Sequence, residues 1–401
     1  MPGCEDERTS PALRVLMINY EYPPIGGGTG KACAHLLAEL GRRQDVTVDL
    51  VTSGVRPQLT ITPLSDNITL HQLPIAKRDL QYWRVGEILA WMHQALPYTA
   101  RLARRGRYDC CHSWAGWPSG IVGHRLRLPH IVALRGSDVP GYNERLRQLD
   151  PLLMTFIARR IWRGAGRVVA VSRGLRELAL RSRPETEIDV IPNGVDVEHF
   201  GPGPGGDPKR VLFVGRLIER KGVGYLVQAF REVRAAVPDA QLLIVGEGPE
   251  RARLEAMAGA PVLSGITFCG HLEGDALSAA YCSSAILALP ALVDAMPNVV
   301  LEAMAAGLAI VTTPTGGSEV LRGNGVVVPA ADANALCAAI VGYLTDPTRL
   351  AEHQRLSRRL AEGMSWAAVA GYYVQLYREV VDAAEWRGSE LPAREFHLSA
   401  R

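Results

Sequence analysis

The chain has almost no lysine, no paired cysteine motif, no Asp-x-Asp triplet and no long apolar run. Each absence narrows what it can be. No stretch approaches the roughly 18 uninterrupted apolar residues that a spanning helix needs. Its first residues, Met1–Arg8, are charged and carry no apolar segment, which predicts no signal peptide and a cytoplasmic chain. The seven cysteines form no CxxC pair. Cys33, Cys110, Cys269, Cys282 and Cys337 sit inside apolar runs and read as small buried hydrophobes in a reducing compartment. Of the 44 basic residues only Lys31, Lys77, Lys209 and Lys221 are lysines. The arginine excess therefore reads as coding composition, and no nucleic-acid partner is expected. An apolar fraction of 47 % with 21 % charged residues excludes a disordered chain, a collagen-like fibre and a coiled coil.

At 401 residues the chain is too long for one core, since single cores stop growing near roughly 250 residues. About two domains are expected. The net charge is +3, but residues 1–200 carry 26 basic against 20 acidic groups and the remainder 18 against 21. A modestly basic first half is compatible with an anionic partner or a membrane surface, and equally with neither.

Short β-branched apolar runs recur, each ending in Gly, Ser or Pro and followed by a helix-length segment. In the first half they are Leu13–Tyr20, Val46–Thr52, Ile68–Leu73, Tyr108–Ser113, His130–Arg135 and Arg167–Ser172. The second half has Arg210–Gly215, Gln241–Gly246, Ile266–Gly270, Ala285–Pro290 and Ala309–Thr313. Near-continuous apolar strands alternating with helices predict parallel sheets covered on both faces. The pattern restarts after Gly201–Pro208, the densest Gly/Pro cluster, which reads as the linker. The expected organisation is an α/β chain of two Rossmann-like doubly wound domains, residues 1–200 and 209–365. A C-terminal helical segment, 366–401, is expected to pack back across the junction; Trp366, Tyr372, Tyr373, Leu376, Tyr377 and Val380 stand in it at helical spacing. In such sheets ligands bind beyond the carboxyl ends of the strands.

Three loops follow strands and carry chemistry-bearing residues. The first, Tyr20–Lys31, contains Gly26, Gly27 and Gly28. Glycines between a strand and a helix let backbone amides approach an anion. The loop matches neither GxGxxG nor a Walker loop, and a purely structural turn explains it equally well. The second, Val214–Gly222, holds Arg216 and Lys221 close enough to converge on one diphosphate, the former as a fork and the latter as a point charge. The alternative is two solvated cations. Two of the four lysines stand beside glycine-rich strand-to-helix turns, which favours the phosphate reading. The third loop follows Ala285–Pro290 and places Asp294 eight residues before Glu302. Pro297 fits a first helical turn, leaving Asp294 in the loop and Glu302 within the helix. A helix start between two carboxylates can offer amides to phosphate while the acids grip hydroxyls; alone, an acid there is usually a cap.

Taken together, 214–222, 294–302 and Gly316–Val320 resemble the donor half of family 4 (group 1) retaining glycosyltransferases with the GT-B fold. Pro23–Gly27, Arg135–Val139 and Ile191–Asp196 fit the same family, and the match runs in order over about residues 13 to 380. The resemblance implies two domains facing across a cleft and retaining transfer of a sugar from a nucleoside-diphosphate sugar to an acceptor. The acceptor would be a glycan, lipid-linked or small-molecule hydroxyl. It implies a hexosyltransferase-type enzyme of the kind found in polysaccharide biosynthesis. Arg216 and Lys221 would hold the diphosphate, Glu302 the ribose and Asp294 the sugar hydroxyls. Asp294 stands where the family has glutamate. Gly26, Gly27, Gly28, Met296, Pro297, Asn298 and Val299 would complete the donor contacts. On the acceptor side it implies His112, Arg135 and Asp138, with His112 counted among the catalytic groups. Arg135 stands where many relatives have histidine. A partly buried, merely satisfied histidine is the alternative for His112, and a turn acid for Asp138.

Bond cleavage at C1 gives oxocarbenium character while negative charge builds on the leaving diphosphate, so prepositioned cations and helix amides are the expected catalytic device. With no Asp-x-Asp triplet, Arg216 and Lys221 are expected to replace a metal, and neither metal nor cofactor is expected. A sugar-nucleotide epimerase of the same fold and an inactive sugar-nucleotide-binding partner subunit are the competing readings. Residues Arg78–Arg107 combine Tyr82, Trp83, Leu89, Trp91 and Met92 with a basic end at Arg101, Arg104, Arg105 and Arg107. They fit peripheral contact with an anionic membrane at the inner face, or a core-packed helix with a solvated basic tip.

Overall fold

A computed structural model of the chain describes residues 12–77, 79–80, 82–142, 153–203, 206–259, 265–385 and 394. The expectations for Met1–Arg8, for Arg78, and for the end of 366–401 other than Arg394 lie outside the described residues. The chain divides into two compact units. The first runs to Ala170 and takes in Leu175–Ile191 and the last helix from Ala370; the second comprises Val171–Gly174 and Pro192–Val369.

In the first unit the strands are β1 (Leu13–Ile18), β2 (Val46–Gly54), β3 (Thr60–Ser65), β4 (Ile68–Pro74), β5 (Cys110–Ser113), β6 (His130–Leu134), β7 (Arg167–Ala170) and β8 (Ile188–Val190). They form one sheet in the order β3-β4-β2-β1-β5-β6-β7-β8. Every pairing is parallel except β3 with β4. The central strands are apolar because both faces are covered: Val15–Ile18 and Ile131–Leu134 are fully or almost fully buried. Helix α1 (Gly28–Gly41) buries Ala32, Cys33, Leu36, Leu37 and Leu40. Helix α2 (Val85–Arg105) buries Ile88, Trp91, Ala95 and Thr99, a three-to-four-residue stripe. Trp91 and Ala95 belong to one cluster with Leu16, Ile18 and Val51. The last helix, Trp366–Glu385, buries Tyr373, Leu376, Tyr377 and Val380 in this unit. Strand β3, absent from the sequence reading, is an exposed antiparallel edge that carries Pro63 and exposes Ile61 and Leu64.

The second unit has β9 (Arg210–Val214), β10 (Gln241–Val245), β11 (Ile266–Gly270), β12 (Ile286–Leu289), β13 (Ala309–Thr312) and β14 (Gly325–Val327). They pair in parallel in the order β11-β10-β9-β12-β13-β14. Helices Val223–Ala236, Arg251–Ala258, Gly274–Cys282, Asn298–Ala305, Ala333–Leu344 and Pro347–Glu362 connect and cover them. Two start on aspartate caps: Asp332 accepts the Ala335 N–H at 2.9 Å and Asp346 the Arg349 N–H at 3.0 Å.

By contacts the chain passes from the first unit to the second at Ile191/Pro192, a few residues before the Gly/Pro cluster. Gly203 and Gly206 lie against the end of helix Gly274–Cys282 and the turn after it, within the second unit. A Cβ on Gly203 would come within 2.7 Å of Cys282 Cβ, and one on Gly206 within 2.8 Å of the Ser284 carbonyl. The cluster reads as a linker in sequence because close backbone approach and chain flexibility select the same residues.

Candidate active site

Strand order reverses between β1 and β5 in the first unit and between β9 and β12 in the second. Open α/β sheets take ligands beyond the carboxyl ends of strands at such a reversal. The candidate residues follow these four strands, except that His112 lies within the end of β5 and that Arg135, Asp138 and the Gly316–Gly317 turn follow the next strand along.

In the second unit, loops 215–222 and 290–297 are tied together by the backbone. Leu292 N–H donates to the Arg220 carbonyl at 2.8 Å. Gly222 adopts φ +67°, and a Cβ there would stand 2.0 Å from the Pro290 carbonyl. Only glycine serves both conditions. The result brings Lys221 onto Asp294, whose Oδ2 accepts a hydrogen bond from the ammonium. The two side chains are 14 % and 15 % exposed, so the pair is shielded without being sealed. A third loop supports the second. Gly316 N–H donates to the Asp294 carbonyl at 3.1 Å. A Cβ on Gly316 would stand 1.6 Å from the Ala295 carbonyl, and one on Gly317 2.8 Å from Pro297 Cγ. Met296 and Pro297 are buried by this packing, while Asn298 and Val299 are partly exposed.

Helix Asn298–Ala305 begins one residue later than expected: Pro297 is its N-cap, in extended conformation, and not its first turn. No side chain caps it and no acid lies in its first turn. Asn298 is held by Asn193, whose amide donates to Asn298 Oδ1 at 2.6 Å. Glu302 lies within the helix, partly exposed, and Tyr281 O–H donates to its Oε2 at 2.7 Å. Arg216 follows β9 and is also partly exposed. Among the described residues no group of three or more His, Cys, Asp and Glu is placed to hold a metal ion.

In the first unit the candidate residues meet around Trp114. Its indole N–H donates to the Thr29 carbonyl, at the start of α1, at 3.1 Å. The Arg135 guanidinium lies over its ring at 4.2 Å from the centroid. His112 contacts it edge-on at 5.3 Å. Gly26 has φ +93° and donates to the Leu80 carbonyl at 2.7 Å, while a Cβ on Gly27 would meet nothing within 4 Å. Gly28 opens α1, which has no side-chain cap.

His112 is fully buried. Its Nδ1 pairs with Tyr377 O–H at 2.8 Å, its ring stacks on Tyr373 at 5.0 Å, and its Nε2 has no hydrogen-bond partner among the described residues. Burial first, then the positive charge of Arg135, pushes its pKa down to about 3, so the imidazole is neutral. Asp138 is buried too, and its carboxylate accepts backbone N–H bonds from Gly116 at 2.6 Å, Gly136 at 2.7 Å and Arg135 at 2.9 Å. Burial raises its pKa, against those bonds, which favour the ionised form. Its oxygens brace the turn after β6. Burial also lowers the Arg135 pKa, and the nearby Tyr373 and Asp138 oppose that effect.

Trp114 and Tyr281 were not singled out from the sequence, and Tyr373 and Tyr377 only as members of an apolar helical stripe. Trp114 stands two residues after His112, beyond the end of β5, a position that could have marked it. The tyrosines had only helical apolar spacing to distinguish them, and that spacing reads as core.

Comparison with known proteins accounts for both units. Residues 26–199 match the family described as Glycosyltransferase Family 4, and residues 208–346 that described as Glycosyl transferases group 1. A GDP-mannose-dependent alpha-(1-6)-phosphatidylinositol monomannoside mannosyltransferase of Mycolicibacterium smegmatis is 33 % identical over 367 residues, covering 84 % of this chain and 91 % of the relative. The glycogen synthase of Mycobacterium tuberculosis is 27 % identical, covering 91 % and 94 %. Among solved structures, the sucrose-phosphate synthase of Thermosynechococcus elongatus superposes with a TM-score of 0.78 at 25 % identity, over 92 % of this chain and all of that one. Such relatives are transferases, which leaves the epimerase reading without support. With two parallel-sheet α/β units and these matches, the chain belongs to the group 1, family 4 glycosyltransferases of GT-B fold and is a hexosyltransferase-type enzyme.

Proposed function

We propose that the enzyme transfers a sugar, with retention at the anomeric carbon and without a metal, from a nucleoside-diphosphate sugar to an acceptor hydroxyl. The observation that carries this reading is the Lys221–Asp294 ion pair beside an uncapped helix start. A diphosphate arriving there would meet Lys221, the first amides of helix Asn298–Ala305 and, on this reading, Arg216, all of positive sign. Negative charge gathers on the diphosphate as C1–O breaks, and preorganised cations favour that charge more than the ground state. Asp294, drawn into the same cluster by Lys221, would face the sugar, which flattens and gains positive character. Glu302, eight residues on, would take the ribose.

The test is a thermal-shift panel of nucleotide sugars followed by product analysis. A true donor stabilises the folded form by mass action. Transfer to an acceptor with an α-configured product from an α-configured donor supports the reading; inversion, or strict dependence on Mg²⁺ or Mn²⁺, refutes it.

Two features support a lipid-side acceptor. Along α2, Val85 and Leu89 are exposed, as is Tyr82 before it, and Arg101, Arg104, Arg105 and Arg107 are exposed beyond. No acid of α2 is exposed: its Glu87 is engaged by Lys77 at 2.9 Å. An apolar end with a basic end on one helix suits an anionic membrane surface met peripherally from the cytoplasmic side. No described helix is long and apolar enough to cross a membrane. Cosedimentation with phosphatidylglycerol vesicles, and its absence with phosphatidylcholine vesicles, is the expected result.

A further inference from the structure

Tyr281 lies on helix Gly274–Cys282, fully buried, in edge-to-face contact with Phe200 at 5.5 Å between ring centroids. Its hydroxyl donates to Glu302 Oε2 at 2.7 Å. Burial first, then the Glu302 charge, raises its pKa well above the ordinary phenol value. The hydroxyl therefore keeps its proton, and the bond has one polarity: tyrosine gives, glutamate receives. The partner is a carboxylate that is only partly exposed and sits on the helix beside the Lys221–Asp294 pair.

Glutamate carries three rotatable bonds, and freezing them when a ligand arrives costs conformational entropy. A rigid, buried donor that grips one oxygen beforehand removes much of that cost. We propose that Tyr281 is a positioning residue for nucleotide recognition: its hydroxyl fixes the Glu302 carboxylate in the orientation that meets the ribose hydroxyls of the donor. The proposal rests on the reading of Glu302 as the ribose contact. It assigns to the core of the second unit a direct part in donor affinity, through a residue that never touches the donor.

The test separates positioning from packing by the ligand's ribose. Titration calorimetry measures UDP and GDP, each against its 2′,3′-dideoxy form, with wild type, Tyr281→Phe, Glu302→Ala and the double variant. Wild type should prefer the ribose form of the better-bound nucleotide by tenfold or more, and Glu302→Ala should bring that preference close to one. Tyr281→Phe keeps the ring and its contact with Phe200. It should lose about five- to tenfold in affinity for the ribose form and less than twofold for the dideoxy form. The double variant should match Glu302→Ala. Donor KM should rise in step with the lost affinity, while kcat at saturation changes less than twofold. If Glu302→Ala loses the ribose preference while Tyr281→Phe retains it, or if Tyr281→Phe weakens both forms equally, the positioning role is overturned alone. Retention of the ribose preference by Glu302→Ala overturns the ribose reading beneath it.

Discussion

Removing Lys221 and Asp294 together should cost less than the two single losses added. Their side chains touch, at 14 % and 15 % exposure, between two loops locked by Gly222 and the Leu292–Arg220 backbone bond. Opposite unit charges near contact attract by about 4 kcal/mol at an effective dielectric of roughly 20. Desolvation and the ordering of a long lysine stem offset much of this. A net coupling of about 1 to 2 kcal/mol remains, within the span found for residues in one ionic network. Lys221→Ala removes a preorganised cation from the proposed diphosphate site, which by itself should cost about 2 to 4 kcal/mol of transition-state stabilisation. It also strands Asp294 as a half-buried carboxylate with no counter-ion, aimed at an anionic ligand. That second penalty vanishes in the Lys221→Ala/Asp294→Ala double variant. The assay is kcat/KM for the four forms with the donor identified by thermal shift, each converted to a free-energy difference. Additivity of the two single effects to within about 0.3 kcal/mol would show that the groups act independently, and would falsify the shared site.

The two acids should separate kinetically: Glu302→Gln should mainly raise donor KM and weaken free nucleoside diphosphate, whereas Asp294→Asn should mainly lower kcat and leave that affinity near wild type. Initial rates in excess chelator should match those without it; abolition reversed by Mg²⁺ or Mn²⁺ contradicts the role given to Arg216 and Lys221. His112 and His130 are both buried with pKa values near 3, below the unfolded value of 6.5, so the unfolded state binds more protons between those limits. Stability should therefore fall as pH drops below 6.5, by about 2 kcal/mol per histidine between pH 7 and 5, and His112→Leu should flatten about half of that slope in denaturant titrations. Gly316→Ala should abolish donor binding in calorimetry, since its Cβ would stand 1.6 Å from the Ala295 carbonyl, whereas Gly27→Ala should fold with an unchanged melting temperature.

Eleven of the strands were legible because a buried parallel strand must be apolar along its length, and Val15–Ile18 or Ile286–Leu289 could hardly be anything else. Strands β8 and β14 are three residues each, too short to carry a pattern, and β3 alternates poorly because nothing covers it. The candidate residues of the second unit were legible for a different reason. Arg216, Lys221, Asp294 and Glu302 are charged groups in loops or helix starts directly after apolar strands, where charge has no packing motive. Tyr281 was illegible because an aromatic in an alanine-rich helix reads as core, and it is core; its hydroxyl acquires meaning only when the fold brings it to Glu302. Asp138 illustrates the reverse case. In sequence it stands beside a strand end like a site residue, yet three backbone N–H groups occupy it.

The two strand-order reversals thus carry unlike chemistry on like frames. In the second unit the loops at the reversal present paired, partly exposed charge: Lys221 with Asp294, Arg216 nearby in sequence, and Glu302 one helix turn beyond the uncapped start. In the first unit the corresponding place is aromatic, with Arg135 laid on Trp114 and a neutral His112 enclosed by Tyr373 and Tyr377. A diphosphate is recognised by charge, so on the proposed reading the second arrangement supplies most of its binding energy. Trp114 is fully buried, so its indole serves there as a rigid platform for the Arg135 guanidinium, which stays partly exposed. The departure at Arg135 fits this logic: guanidinium over indole retains a donor of hydrogen bonds at the end of β6 without adding a group that titrates near neutral pH.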